Sequence, residues 1–336
     1  MNKVIPNKLN VGDEIRVIAP SRSMKTLNEE VIKIAKKRLQ QMGFSITFGK
    51  NVMNSINDDF GCASISDRIE DLHEAIQDKN VKAILTVIGG YNINQLLDYI
   101  DYPLIKENPK ILCGFSDITA LSNAIYAKTG IVTYYGPHFS SFGMKYGFDY
   151  TMNYFKNMLM HNGEIIIENS EEWSDDSWYK EQEDRDFIKN DGMKIINNGK
   201  GEGTIIGGNL CTLNLLQGTE YMPDANNSIL FLEDDDLAGN EFIKEFDRNL
   251  QSLFHHLKRK NIRGIVIGRA EKGTNMNTKK WKEIIETKKE LMDIPVIIDA
   301  NFGHTTPIFT FPIGGHATID ATETVKIKID NEKRIY

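Results

Sequence analysis

One stretch constrains the fold most: residues 108–130, NPKILCGFSDITALSNAIYAKTG. Ile111-Leu112-Cys113 is a short apolar run of the kind a buried strand shows. Gly114-Phe115-Ser116-Asp117 interrupts it, and Ile118, Leu121, Ala124 and Ile125 then recur at helical spacing. The pattern reads as strand, tight turn, helix, with Ser116 at the turn. A hydroxyl there stands clear of the sheet. It also lies beside the unpaired N–H groups of a helix's first turn, which can stabilise a developing oxyanion. These are the mechanics of a nucleophile elbow without its G-x-S-x-G pattern, since Ile118 fills the last position. Serine is also a preferred helix N-cap, and on this stretch alone capping is the commoner role.

The same alternation runs through the first half of the chain. Apolar runs at 15–19, 45–48, 83–88 and 131–134 read as strands, and the segments 27–43 and 65–78 carry helical stripes. Such spacing predicts βαβ units and a parallel sheet covered on both faces. Sites in these sheets form at the carboxyl ends of strands, where both Ser116 and Gly89-Gly90 fall. A tight turn accounts for Gly89-Gly90 equally well. GGYN is neither a Walker nor a dinucleotide fingerprint, so no nucleotide-cofactor loop is expected. The second half restarts with strands at 203–206, 229–233, 264–268 and 295–298 and helices at 240–258 and 277–290. It ends in short alternating strands, giving a mixed α/β, β-rich domain. The expected division is 1–165 for the nucleophile-bearing domain, 166–200 for a connecting loop and 201–336 for the second domain.

The 336-residue length allows one large or two ordinary domains, and a net charge of −7 argues against a general nucleic-acid binder. Three cysteines far apart form neither a disulfide framework nor a metal-ligand pattern. No apolar stretch reaches the roughly 18 residues that a membrane span needs. No leader-like apolar run opens the sequence. A cytoplasmic protein with no membrane partner is therefore expected.

Between 168 and 192 the composition shifts. NSEEWSDDSWYKEQEDRDFIKNDG has nine acidic against three basic residues, no regular period, and both Trp173 and Trp178. A loop this long inside a compact chain is functional or disordered. Its tryptophans offer stacking surfaces to a ligand, or else pin the loop to the domain.

Seven histidines occur. His73, His255 and His256 lie in helical patterns, and His161 closes a helix. His138, His304 and His316 fall in loops or at strand ends. His304 directly follows an apolar strand, a position that suits a catalytic imidazole. Glu233 ends the buried run ILFLE, where a carboxylate can hold an imidazole in the tautomer that receives a serine proton. Glu233 to Asp236 also gives four consecutive carboxylates. Neighbouring residues rarely converge on one ion and no partner motif accompanies them, so no metal site is expected.

Five segments in order, IGGYN at 88–92, GFSD at 114–117, IGGNL at 206–210, LEDDD at 232–236 and GHTTPIFTFPIGGHATID at 303–320, resemble the LD-carboxypeptidase family of serine peptidases. The branch they resemble most is that of the microcin C self-immunity peptidases. The resemblance implies an N-terminal Rossmann-like domain and a C-terminal mixed β domain, with the site in the cleft between them. It implies Ser116 as nucleophile, His304 as general base and acid, and Glu233 as the residue orienting His304. The backbone N–H groups of Gly90 and Asp117 become the oxyanion hole. No metal or organic cofactor is implied, and a homodimer is. Two substrate classes follow from the family: an aminoacyl- or peptidyl-nucleotide amide, with Trp173 or Trp178 stacking on the base, or a murein tetrapeptide that loses D-alanine. A small-molecule binding protein, with Ser116 as a cap, and a metal-dependent hydrolase at Glu233–Asp236 remain the readings outside this class.

Overall fold

The computed structural model describes residues 3–57, 59–257 and 261–332. The first sheet is built from β1 (Glu14–Ile18), β2 (Ser45–Phe48), β3 (Val81–Thr86), β4 (Ile111–Gly114) and β5 (Thr133–Tyr135). Their order is β2-β1-β3-β4-β5, all parallel. The helices α1 (Glu29–Gln41), α2 (Ile65–Gln77), α3 (Tyr102–Glu107) and α4 (Ile118–Thr129) connect these strands. Capping follows the sequence. Asn28 accepts from Glu30 N, Ser64 from Asp67 N and Asp101 from Leu104 N, each answering one of the unpaired N–H groups of a helix start. Helix α5 (Asp149–Met160) leads out of this half.

The second sheet has β6 (Glu164–Ile167), β9 (Lys194–Asn197), β10 (Gly199–Asn209), β11 (Ser228–Glu233), β12 (Ile262–Gly268), β13 (Val296–Ala300), β15 (His316–Ala321) and β16 (Val325–Asp330). Its order is β6-β16-β15-β10-β11-β12-β13-β9, parallel through β10 to β13 and antiparallel on both flanks. Helices α6 (Leu210–Asn214), α7 (Phe242–Leu257) and α8 (Thr278–Glu286) belong to this half. The expected α/β fold, a parallel N-terminal sheet followed by a β-rich mixed region, is the one observed. The long loop contains the two-residue strands β7 (Glu172–Trp173) and β8 (Ile188–Lys189), which pair antiparallel. No helix among the described residues is long and apolar enough to cross a membrane.

The two sheets are tied through α4 and a strand that crosses back. Nearly all of α4 is buried. Its Asn123 donates to Gly207 O, and its Thr119 hydroxyl accepts from Asn209 N, both on β10. Strand β14 (Phe311–Ile313) lies late in the chain yet pairs antiparallel with β5, at the edge of the first sheet. Phe311 there stacks on Tyr135 at 4.5 Å and packs against Phe231 and Phe302 of the second half. One hydrophobic cluster accordingly contains Val17 and Leu85 from the first sheet together with Phe231 and Ile297 from the second. This shared apolar floor fixes the strand ends of both sheets against each other.

Candidate active site

The strand ends meet at a cleft of about 790 Å³. Ser116 occupies the turn between β4 and α4 with φ of 60°, a left-handed conformation rare outside glycine. It does not cap the helix. Asp117 stands at the cap position and makes no side-chain capping bond. Strain of this kind persists only where surrounding contacts enforce it, and it turns the Ser116 side chain out of the sheet. Gly89 makes room for that side chain. A Cβ at position 89 would lie 2.9 Å from both Cβ and Oγ of Ser116.

Ser116 Oγ lies 3.1 Å from His304 Nε2, and His304 Nδ1 lies 2.7 Å from Glu233 Oε2. Glu233 is the buried last residue of β11. His304 sits four residues past β13 and is half-buried, with Phe115 edge-on to its ring at 5.5 Å. Burial opposes charge on this imidazole, but Glu233, then Asp235 and Glu271, outweigh it and push its pKa up to about 10. Partial burial, with Asp236 and Asp235 nearby, pushes the half-buried Glu271 carboxyl up to about 7. Such a chain can move a proton from a hydroxyl to an imidazole and hold the resulting imidazolium.

The Asp117 carboxylate acts behind this chain. It is buried, and its Oδ2 accepts from Ser21 Oγ at 2.5 Å and from Asn92 N and Ile93 N at 3.1 Å each. Burial raises its pKa against the pull of these bonds. The bonds lash the 89–93 turn to the Ser116 turn. Gly89 O is held from the other side by Arg22 Nε at 3.1 Å. Within the turns so fixed, neither Gly90 N nor Asp117 N has a hydrogen-bond partner among the described residues. Sequence reasoning assigned Asp117 a backbone role and did not find this side-chain role.

Trp178 and Tyr179 line the cleft. Trp173 instead lies under the Arg269 guanidinium, 5.0 Å from its ring centre. The loop is anchored at several points. Ser174 and Thr306 exchange two backbone bonds of 2.7 Å. Asp176 pairs with Arg185, Glu183 with Lys145, and both Asp175 and Asp186 with Lys272. Four of its nine acidic side chains are thereby paired within the protein. Asp234 turns away to Asn209 Nδ2 and Cys211 N. Among the described residues no group of three or more His, Cys, Asp or Glu side chains is arranged to hold a metal ion. Of the remaining histidines, His138 lines the cleft and His316 lies on β15.

Residues 15–136 match the LD-carboxypeptidase N-terminal domain and residues 202–319 the LD-carboxypeptidase C-terminal domain. The chain belongs to the LD-carboxypeptidase family. It is 51% identical to a putative carboxypeptidase of Bacillus subtilis, YocD, over 96% of this chain and 98% of that protein. The crystal structure of an MccF-like protein from Bacillus anthracis superimposes with a TM-score of 0.95 at 55% identity, covering 97% of this chain and 99% of that one. The microcin C7 self-immunity protein MccF, known from Escherichia coli, has been solved in complex with aspartyl sulfamoyl adenosine. That structure matches with a TM-score of 0.88 at 30% identity over 99% of this chain and 100% of that one. An LD-carboxypeptidase is a serine-carboxypeptidase-type hydrolase, and this chain is an enzyme of that type.

Proposed function

We propose that this LD-carboxypeptidase hydrolyses an amide bond in an aminoacyl- or peptidyl-nucleotide, with Ser116, His304 and Glu233 as its catalytic triad. The observation that carries the proposal is the unbroken hydrogen-bonded chain from Ser116 Oγ through His304 to Glu233. In this reading Ser116 attacks the carbonyl carbon while His304 Nε2 takes its proton. Glu233 holds Nδ1–H and stabilises the imidazolium. The developing oxyanion is received by Gly90 N and Asp117 N, worth roughly 3 kcal/mol per donor. His304 then protonates the leaving nitrogen, and water, activated by the same imidazole, cleaves the acyl-enzyme. Every proton is handled by these side chains, so the reaction as drawn uses no metal and no organic cofactor.

The nucleotide preference draws support from Trp178 and Tyr179 in the cleft wall and from the aspartyl sulfamoyl adenosine bound by MccF. Trp173 serves the loop, and with it the substrate, by its stacking on Arg269. The division into 1–165, 166–200 and 201–336 assigns the nucleophile to one part, Glu233 and His304 to another and the substrate loop to the connection. A homodimer acting in the cytoplasm completes the proposal. The test is product release from two substrates, an aminoacyl sulfamoyl adenosine and a murein tetrapeptide. Cleavage of the first supports the proposal. Release of D-alanine from the second alone moves the enzyme to cell-wall peptides.

A further inference from the structure

Two buried oxygen atoms beside the triad are left over once its hydrogen bonds are made. Glu233 gives Oε2 to His304 Nδ1, and its Oε1 is buried without a hydrogen-bond partner among the described residues. The Tyr135 hydroxyl is the other such atom. Tyr135 closes β5 in the first sheet and is 2% exposed. A buried phenol without a partner is costly, and a buried carboxylate oxygen more so.

The Tyr135 ring has little freedom. Its residue pairs with Gly114 on one side and with Phe311 on the other. The ring stacks on Phe311, and it meets Phe302 edge-on and Phe115 at a tilt, each with centres 5.8 Å apart. Phe115 precedes the nucleophile and Phe302 stands two residues before His304, so one aromatic cage adjoins both ends of the hydrogen-bonded chain. Burial first, and then the Glu233 carboxylate, hold the Tyr135 pKa well above its ordinary value, while the Gly303 backbone pulls the other way. Gly303 in turn lies against that carboxylate, since a Cβ there would stand 3.1 Å from Glu233 Oε2. Glu233, Gly303 and the Tyr135 hydroxyl thus share one small volume behind His304. A phenol that stays protonated can donate, and an ionised carboxylate oxygen can only accept.

We propose that Tyr135 is a positioning residue for the triad, its hydroxyl donating to Glu233 Oε1 and so fixing both the direction of the carboxylate and the share of its charge that reaches His304. A carboxylate held at both oxygens does not rotate away from Nδ1–H. The donor also draws charge from the carboxylate, so the imidazolium is held less strongly than Glu233 alone would hold it. The other titratable groups that bear on this imidazole are Asp234, Asp235, Glu271 and His138. The first sheet thereby reaches the triad twice, through Ser116 in front and through Tyr135 behind. The inference rests on the Ser116–His304–Glu233 reading and adds to it a residue that touches no substrate.

The experiment uses Tyr135→Phe, which removes the hydroxyl and keeps the ring in its cage, with Tyr134→Phe as the control. Tyr134 points to the opposite face of the same strand. Its hydroxyl is equally buried and unpartnered among the described residues, but burial and Cys113, not Glu233, raise its pKa. With aspartyl sulfamoyl adenosine, Tyr135→Phe should lower kcat roughly tenfold at little change in KM, the scale of a hydrogen bond to a charged group. The acid limb of its kcat/KM profile should move to higher pH. Tyr134→Phe should leave both where they are. Proton NMR reads the same bond without turnover: the unaltered enzyme should show a downfield Nδ1–H resonance that is absent from His304→Gln and displaced in Tyr135→Phe alone. A kcat, acid limb and resonance unchanged in Tyr135→Phe, or changed equally in Tyr134→Phe, overturn the positioning role and leave the triad standing. Absence of any downfield resonance that depends on His304 overturns the triad reading and this inference with it.

Discussion

His304 Nε2 stands 3.1 Å from Ser116 Oγ although 188 residues separate the two in sequence. The contact exists because β4 of one sheet and β13 of the other end at the same cleft, over a floor of aromatic side chains from both halves. Neither half alone contains the hydrogen-bonded chain. Its geometry therefore depends on the packing of α4 on β10 as much as on the three residues themselves.

The carboxylates around His304 set the pH dependence. Its pKa is raised to about 10, so the free imidazole is lost as pH falls through that value. A general base must be deprotonated. The kcat/KM profile should therefore keep rising above neutral pH, with its acid limb well above the usual imidazole value of 6.5. Glu271, titrating near 7, loses its charge at lower pH and weakens the field that holds the proton. In Glu271→Gln the acid limb should move to lower pH. A limb that stays in place would show that Glu271 does not act on His304.

Replacing Asp117 by Ala should damage activity and stability together. It leaves Ser21 Oγ, Asn92 N and Ile93 N without their common acceptor. An orphaned buried donor costs about 1–3 kcal/mol. Urea unfolding should show a loss of that order, and kcat should fall because the Gly90 turn is no longer lashed to Ser116. A stable variant with full kcat would contradict the positioning role.

Gly89→Ala places a methyl group 2.9 Å from Ser116 Oγ. The serine must shift, and displacements of about 1 Å in a reacting group cost roughly 100-fold in rate. Steady-state kinetics should show the loss in kcat, while a melting curve stays close to that of the unaltered protein.

The two loop tryptophans should separate kinetically. Trp178→Ala removes a cleft-lining ring and should raise KM for a nucleotide substrate roughly tenfold, the scale of one base-stacking contact. Trp173→Ala uncovers Arg269 and loosens the loop, so its first effect should be faster proteolysis between 168 and 192. Equal KM changes in both would contradict this division of labour.

Sequence made much of this arrangement legible. The apolar runs before Ser116 and Glu233 are buried parallel strands, and the Ser, Glu, His order follows strand ends, which is where such sheets place sites. Other features depend on contacts between distant residues and leave no periodic trace. The positive φ of Ser116 comes from packing around the turn, so propensity favours a cap that the structure does not show. The loop's acidity is an open question in the sequence because Lys145 and Lys272, which absorb part of it, lie outside the loop. Strand β10 begins at Gly199, four residues before the apolar pattern shows it, because its early glycines carry no alternation. Crossing strand β14 reads as one more C-terminal strand until its pairing with β5 is known.

The central claim is that Ser116 is the nucleophile of an amide hydrolase. Its most direct test is mass spectrometry of product release from an aminoacyl sulfamoyl adenosine, with the unaltered enzyme and with Ser116→Ala. The account predicts free amino acid and sulfamoyl adenosine from the first, and a loss of about 10⁴-fold or more in the second. Equal turnover by both proteins would contradict it and return Ser116 to a structural role at the head of α4.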